Sequence, residues 1–130
     1  MSIVWRFLEG SPSLGLSVSN VLVPDDVTES LLAVVDTGYT GFLMLPEPLF
    51  ERLRFSELKT EGTTATLADG REVTLRSAYG LIAIQGVELE VAGQVQTFDG
   101  AEETLLGMDG LREFSITIDS CDQVSTVRRC

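Results

Sequence analysis

The sequence predicts an all-β fold with one or two short helices. Short apolar runs rich in β-branched residues recur along the chain, turn residues separate them, and an Asp-Gly pair divides two of them. The 130 residues suit one domain. We expect its core to span about residues 14–119 and a polar, loose C-terminal tail to follow at about residues 120–130.

The first half of the chain contains three apolar runs and one helix candidate. Residues 14–23 are apolar and β-branched, and the Pro-Asp-Asp sequence at 24–26 is expected to stop this strand. Residues 31–35 are continuously apolar, which is typical of a strand buried on both faces, and residues 42–45 repeat the pattern. Residues 48–53 predict a helix, because proline favours a first helical turn and the apolar positions share one face.

The second half returns to strands and turns. Residues 63–68 and 72–77 flank Asp69 and Gly70, and Asp-Gly between alternating strands is among the strongest hairpin signals. The remaining predicted elements are strands at residues 81–84, 87–91, 95–98 and 114–118, with breaks at Gly86 and Gly93, and a turn or helix at residues 108–112.

The acidic composition excludes several kinds of partner and site. The formal net charge is −11, from 20 acidic and 9 basic residues. Such a surface repels phosphate backbones and anionic lipid, so we expect neither nucleic acid nor a membrane as a partner. The absence of histidine excludes Ser-His and Cys-His nucleophilic sites and removes the commonest zinc ligands.

The two cysteines and the N-terminal residues bear on the compartment. Cys121 and Cys130 lack metal-ligand spacing, and they either form a late disulfide or remain two free thiols, which suits a reducing compartment. The first residues lack a basic region followed by a long apolar stretch, and no apolar run approaches the ~20 residues of a membrane span. We therefore expect a cytoplasmic protein.

Asp36 is the most unusual residue on physical grounds. This carboxylate directly follows the apolar run at residues 31–35, and an unpaired buried charge is costly. It must therefore be hydrogen-bonded, exposed at a strand end, or functional. Gly38 allows the main chain to approach the carboxylate closely, although Asp and Gly are also common residues of plain turns.

Two motifs resemble those of aspartic proteases. Asp36, Thr37 and Gly38 follow an apolar strand, and Leu105-Leu106-Gly107 occurs much later, as in enzymes whose Asp-Thr-Gly loop is overlaid by a hydrophobic-hydrophobic-Gly segment. The chain is most similar to the small bacterial and archaeal predicted aspartyl proteases related to the retroviral enzymes. Residues 36–46, 67–70 and 105–109 carry this resemblance, which covers about residues 14–119.

The resemblance implies a fold and a set of roles. The fold would be a single-lobe, retropepsin-like acid-protease β-barrel. Asp36 would be the catalytic carboxylate, with Thr37 reaching across a twofold axis and Gly38 donating its main-chain amide. A flap tip over the substrate would consist of Ala68, Asp69, Gly70 and Arg71. A support behind the loop would consist of Leu105, Leu106 and Gly107.

The chain differs from the retroviral proteases at two positions. They have a small residue after Asp-Thr-Gly, where this chain has Tyr39, as some bacterial relatives have an aromatic. They also have an arginine after the glycine of the second motif, which anchors their dimer, and here the position is Met108. Arg112 is a candidate replacement, or a solvated surface charge.

The resemblance therefore predicts an aspartic endopeptidase that needs no metal and no organic cofactor. The chain contains a single Asp-Thr-Gly, so two Asp36 carboxylates can meet only in a homodimer. The expected partners are a peptide or protein substrate and a second copy of the chain. The alternative is a non-catalytic peptide-binding or assembly module on the same fold, because fold does not imply function.

Overall fold

The computed structural model describes residues 2–27, 30–58, 61–87 and 90–130. The described residues form eleven strands, two short α-helices and a 3-10 helical turn at Phe55–Glu57, which confirms the predicted all-β class. The strands are β1 (Ser2–Arg6), β2 (Ser13–Asn20), β3 (Val23–Val27), β4 (Leu31–Val35), β5 (Leu43–Met44), β6 (Glu61–Thr66), β7 (Glu72–Ile84), β8 (Glu90–Thr97), β9 (Leu105–Leu106), β10 (Phe114–Asp119) and β11 (Val124–Arg129). The helices are α1 (Glu47–Arg52) and α2 (Met108–Leu111).

Six strands close into a barrel. They are hydrogen-bonded in the order β2-β4-β9-β5-β8-β7, and β7 pairs again with β2 to complete the ring. β3 extends β2 and β6 extends β7 at the two ends of this sheet. The parallel pairing of β9 with β4, and of β5 with β8, brings distant parts of the chain side by side at the end of β4.

The core fills the barrel and explains the apolar runs of β2 and of residues 42–45. Leu14, Leu16 and Val18 of β2 are fully buried, and the side chain of Phe50 from α1 is buried with them. One polar side chain inside the core is also satisfied. Asn20 donates from its amide nitrogen to the carbonyls of Leu53 and Arg54 at 3.1 and 3.0 Å, which fastens the end of α1 to β2.

The prediction of a loose C-terminal tail is wrong. β11 lies at the centre of a three-stranded sheet in the order β1-β11-β10 and is hydrogen-bonded along both edges. Val127 and Ser125 are fully buried, and Val127 belongs to the core cluster. The buried Ser125 and Val127 alternate with the less buried Val124 and Thr126, and this buried face supplies the stability that the composition does not suggest.

Several predicted boundaries also change. Residues 24–26 lie within β3 rather than ending a strand, and a proline is tolerated there because β3 is an edge strand. β8 continues through Gly93, where a Cβ would lie 2.4 Å from the ring of Phe42, so this glycine serves close packing rather than a break. Residues 72–84 form one long strand. Of the strand predicted at residues 87–91, residues 88–89 lie outside the described part of the chain.

Candidate active site

Asp36 lies where β4 ends, at the seam between the two predicted motifs. Its main-chain amide donates to the carbonyl of Leu106 at 3.0 Å, continuing the register in which Val34 pairs with Leu105 and Val35 with Leu106. The side chain of Asp36 is half-buried. β4 thus ends in a carboxylate that borders the second motif. The prediction that residues 31–35 are buried on both faces is wrong, because Ala33 is the one buried residue of β4 and Leu32 is 44% exposed.

The carboxylate of Asp36 is held by its own loop. Its Oδ1 accepts a hydrogen bond from the amide of Gly38 at 3.0 Å, and its carbonyl accepts one from the amide of Tyr39 at 3.2 Å. A Cβ at Gly38 would lie 3.3 Å from that Oδ1, so the close approach favours glycine. Thr37 is exposed at the tip of the loop.

The second motif packs directly behind this loop. Leu106 is fully buried, and β9 lies between β4 and β5. The amide of Gly107 donates to the carbonyl of Phe42 at 3.1 Å, and the amide of Met108 donates to the carbonyl of Tyr39 at 2.9 Å. A Cβ at Gly107 would lie 2.2 Å from the carbonyl oxygen of Gly41, and only glycine fits there. The support is therefore made of main-chain atoms at close range.

The bulky Tyr39 has both a hydrogen-bond partner for its hydroxyl and space for its ring. Its hydroxyl donates to Oε1 of Gln96, and Nε2 of Gln96 donates to Oγ of Ser77 at 3.0 Å. Gly41 leaves the space for the ring, since a Cβ there would lie 2.5 Å from it. Burial, with a smaller contribution from the charge of Asp109, raises the pKa of the Tyr39 hydroxyl well above its ordinary value.

Sequence reasoning missed Gln96 and Ser77. Tyr39 lies 57 positions before Gln96. Both new residues lie on strands that the sequence predicts, but nothing in the local pattern marks either residue as a partner of Tyr39. The pairing of β7 with β8, which places Ser77 opposite Gln96, creates the contact. Such a network depends on strand register, and the sequence pattern does not fix that register.

The predicted flap is a hairpin between β6 and β7. The amide of Leu67 donates to the carbonyl of Arg71 at 2.8 Å, and the amide of Gly70 donates to the carbonyl of Leu67 at 2.9 Å. The bond between Leu67 and Arg71 closes a three-residue loop rather than a two-residue one. Gly70 has a φ of +88°, which favours glycine at this position. The amide and then the guanidinium of Arg71 hydrogen-bond to Asp69 and hold the pKa of that carboxyl below its ordinary value.

A cleft of about 690 Å³ lies between the Asp36 loop, the hairpin tip and the segment at residues 98–105. The predicted site residues that line it are Asp36, Gly38, Ala68, Asp69, Arg71 and Leu105. Thr37, Gly70, Leu106 and Gly107 do not line it, and the last two lie buried behind the loop. Among the lining residues that sequence reasoning missed are two carboxylates, Glu102 and Glu103.

Arg112 and Met108 lie outside the cleft lining. Arg112 pairs with Asp109 at 3.3 Å, and its side chain is 76% exposed, which is the behaviour of a solvated surface charge. Met108 is also exposed at the start of α2. Within the described ranges, no cluster of potential metal ligands occurs, and no helix is long and apolar enough to cross a membrane.

Comparisons with known proteins support the fold and place the chain in a family. No family model matches. The structure is similar to that of EIAV protease in complex with the inhibitor HBY-793, with a TM-score of 0.60, 23% identity and coverage of 81% of this chain and 88% of that one. This similarity confirms the retropepsin-like fold. An uncharacterized protein of Archaeoglobus fulgidus is 33% identical over 126 residues, covering 95% of this chain and 98% of the archaeal one. The chain therefore belongs to the same family as this archaeal protein.

Proposed function

We propose that the protein is an aspartic endopeptidase that acts as a homodimer. The observation that carries this proposal is the position of Asp36, which the main chain of Leu106 and the amide of Gly38 fix at the wall of a cleft. The tip of the hairpin between β6 and β7 also lines that cleft. A positioned carboxylate facing a groove under a hairpin suits hydrolysis of an extended peptide.

The proposed reaction uses one Asp36 from each subunit. Two carboxylates held close together share one proton, because both cannot carry a charge at short range. The ionised Asp36 removes a proton from a water molecule, whose oxygen attacks the peptide carbonyl carbon. The protonated Asp36 of the other subunit gives its proton to the carbonyl oxygen. The C–N bond then breaks while the first Asp36 passes its proton to the leaving nitrogen. The second Asp36 takes a proton back from a hydroxyl of the intermediate, which gives a free carboxylic acid, a free amine and the original shared proton.

The remaining site residues have supporting roles in this proposal. Thr37, exposed at the loop tip, reaches the same loop of the second subunit. Leu105, Leu106 and Gly107 hold the loop from behind, and Ala68, Asp69, Gly70 and Arg71 form the flap tip over the substrate. Acid–base catalysis supplies ~10²–10⁴-fold of the acceleration, so orientation of the substrate by the flap supplies much of the rest.

The sheet of β1, β11 and β10 is the proposed dimer surface. β11 is paired on both edges, so a strand from a second subunit can be added only beside β10 or β1. We favour β10, because this strand follows α2, whose first amides bond to the loop that contains Asp36.

A second candidate function is a non-catalytic peptide-binding or assembly module. One observation favours it: each chain has its own cleft, closed by its own hairpin, but contributes one carboxylate. A monomer could therefore bind a peptide without cleaving it. Solution mass separates the two functions, because a protein that stays monomeric at every concentration cannot bring two Asp36 side chains together.

Digestion of a peptide library tests the proposal. We expect wild-type protein to cleave peptides between acidic and neutral pH, and Asp36→Asn to abolish cleavage while the fold and the dimer persist. The amide is nearly the same size as the carboxyl, and its oxygen can still accept from Gly38, but it cannot activate water. Undiminished cleavage by the variant would overturn the catalytic role of Asp36, and peptide binding without cleavage by either protein would favour the binding module.

A further inference from the structure

The cleft carries an excess of negative charge that its own residues do not neutralise. Four carboxylates line it, from Asp36, Asp69, Glu102 and Glu103. Among the described residues of the lining, the single cationic side chain is that of Arg71. Its Nε lies 2.8 Å from Oδ2 of Asp69, and this ion pair within the hairpin tip uses the one positive charge available. Three carboxylates therefore remain to face a bound ligand.

Glu102 and Glu103 are held at the cleft by a fixed main chain. The carbonyl of Thr104 accepts from the amide of Val34 at 2.9 Å, two residues before Asp36. On the other side of the glutamates, the carbonyl of Ala101 accepts from the amide of Glu47 at 2.9 Å. Both glutamate side chains are exposed and make no ion pair with the described parts of the chain. They are thus anchored by their backbone and free at their charged ends.

The rest of the lining is largely apolar. Met44 is buried, and Leu67, Phe98 and Leu105 are half-buried along the same cleft. An apolar surface beside two unpaired carboxylates matches a side chain with a hydrocarbon stem and a cationic end. Lysine and arginine are the amino acids with that construction, whereas an acidic side chain would be repelled.

The charge of the whole molecule acts in the same direction. A chain with a net charge of −11 attracts cationic peptides, and a cleft with apolar walls focuses that field at its mouth. We propose that the cleft selects peptides with a lysine or arginine within a few residues of the scissile bond, recognised by Glu102 and Glu103. This inference rests on the proposed function, because it assigns the specificity of the same cleft.

A digest of a proteome-derived peptide library tests the specificity directly. We expect lysine and arginine to be enriched at one position near the cleaved bond. Glu102→Gln/Glu103→Gln should reduce kcat/KM for a lysine-containing peptide by about three- to tenfold, since exposed ion pairs contribute a few-fold each. Its effect on the matched peptide with glutamine in place of lysine should be small. The charge-matched control is Glu9→Gln/Glu90→Gln, whose exposed side chains lie away from the cleft and should leave the preference unchanged.

Salt and binding measurements separate the possible failures. Raising the salt from ~0.05 to ~0.5 M should weaken the preference for lysine, because it screens exposed charges. Cleavage without a basic preference, or with one that the cleft variant retains, would overturn this inference and leave the proposed function standing. If no peptide is cleaved, fluorescence anisotropy measures peptide binding to Asp36→Asn instead. Tighter binding of the lysine peptide than of its glutamine counterpart would support the basic specificity of the cleft without catalysis. Equal binding of the two peptides would overturn that specificity.

Discussion

The amide of Asp36 donates to the carbonyl of Leu106 at 3.0 Å, so one hydrogen bond joins two motifs that are far apart in the sequence. Its consequence is mechanical. The strand that ends in the carboxylate and the strand that supports the loop form one ladder, and neither can shift without the other. The position of Asp36 at the cleft therefore depends on the packing of β9, in which Leu106 is fully buried and Gly107 touches the loop.

Gly107→Ala tests this dependence. The added Cβ would lie 2.2 Å from the carbonyl oxygen of Gly41, and neither backbone segment can move freely. We expect a loss of about 1–3 kcal/mol in the free energy of unfolding, typical of overpacking, together with loss of peptide cleavage. Urea denaturation measures the first effect. Gly62→Ala is the control, because a Cβ there has ordinary contact distance to Thr74 and should change stability little. Equal stability of the two variants would contradict the tight fit behind the loop.

Tyr39→Phe tests the network behind the loop. Near neutral pH we expect a loss of about 1 kcal/mol in the free energy of unfolding, because Oε1 of Gln96 loses its donor. At alkaline pH the stability advantage of wild type over the variant should shrink. The pKa of Tyr39 is raised in the folded protein above the ordinary value of 10.0, so the unfolded chain releases this proton first and wild type loses stability as the pH rises above about 10.

The size of this alkaline effect is bounded. One pH unit corresponds to at most about 1.4 kcal/mol for a single group, and solvent reaching a half-buried ring reduces it. Unfolding by urea at pH values from about 8 to 11 measures the difference between wild type and Tyr39→Phe. Tyr79→Phe is the control, because that side chain is 51% exposed. A difference between wild type and Tyr39→Phe that stays constant with pH would contradict burial as the cause of the raised pKa.

The sequence predicts the barrel better than it predicts the details of the cleft. Apolar runs indicated the strand before Asp36, and Asp69-Gly70 indicated the hairpin, because both signals are local. The strand at Val124–Arg129 was missed, since its stability comes from pairing with two distant strands. The contact of Tyr39 with Gln96 was missed for the same reason: tertiary register creates it, and no local pattern signals it.

Gly70→Val tests the hairpin as a flap. A Cβ at Gly70 meets nothing within 4 Å, so the substitution adds backbone strain at positive φ without a clash. We expect the free energy of unfolding to fall by no more than about 3 kcal/mol. The free energy of peptide binding should be reduced by more than the free energy of unfolding. Gly10→Val is a matched control, with φ of +82°, an equally open surrounding and a position away from the cleft. If both variants bind peptide equally well in an anisotropy titration, the hairpin is a plain surface turn.

Asp36→Asn tests the dimer independently of catalysis. If two Asp36 side chains face each other across a twofold axis, the wild-type dimer contains two acidic groups at short range, and the substitution removes their repulsion. We therefore expect the variant to dimerise more tightly than wild type near neutral pH, by a few-fold to about tenfold in Kd, and to unfold at a higher temperature at equal concentration. The hydrogen bond from Gly38 should survive, because the amide oxygen of asparagine accepts as the carboxylate does.

Asp99→Asn removes the same charge from an exposed residue outside the cleft lining and controls for the general effect of lowering the net charge. Analytical ultracentrifugation over a wide concentration range measures both constants. A Kd that falls equally in both variants would show that only net charge matters, and a protein that stays monomeric at all concentrations would exclude a shared pair of Asp36 carboxylates.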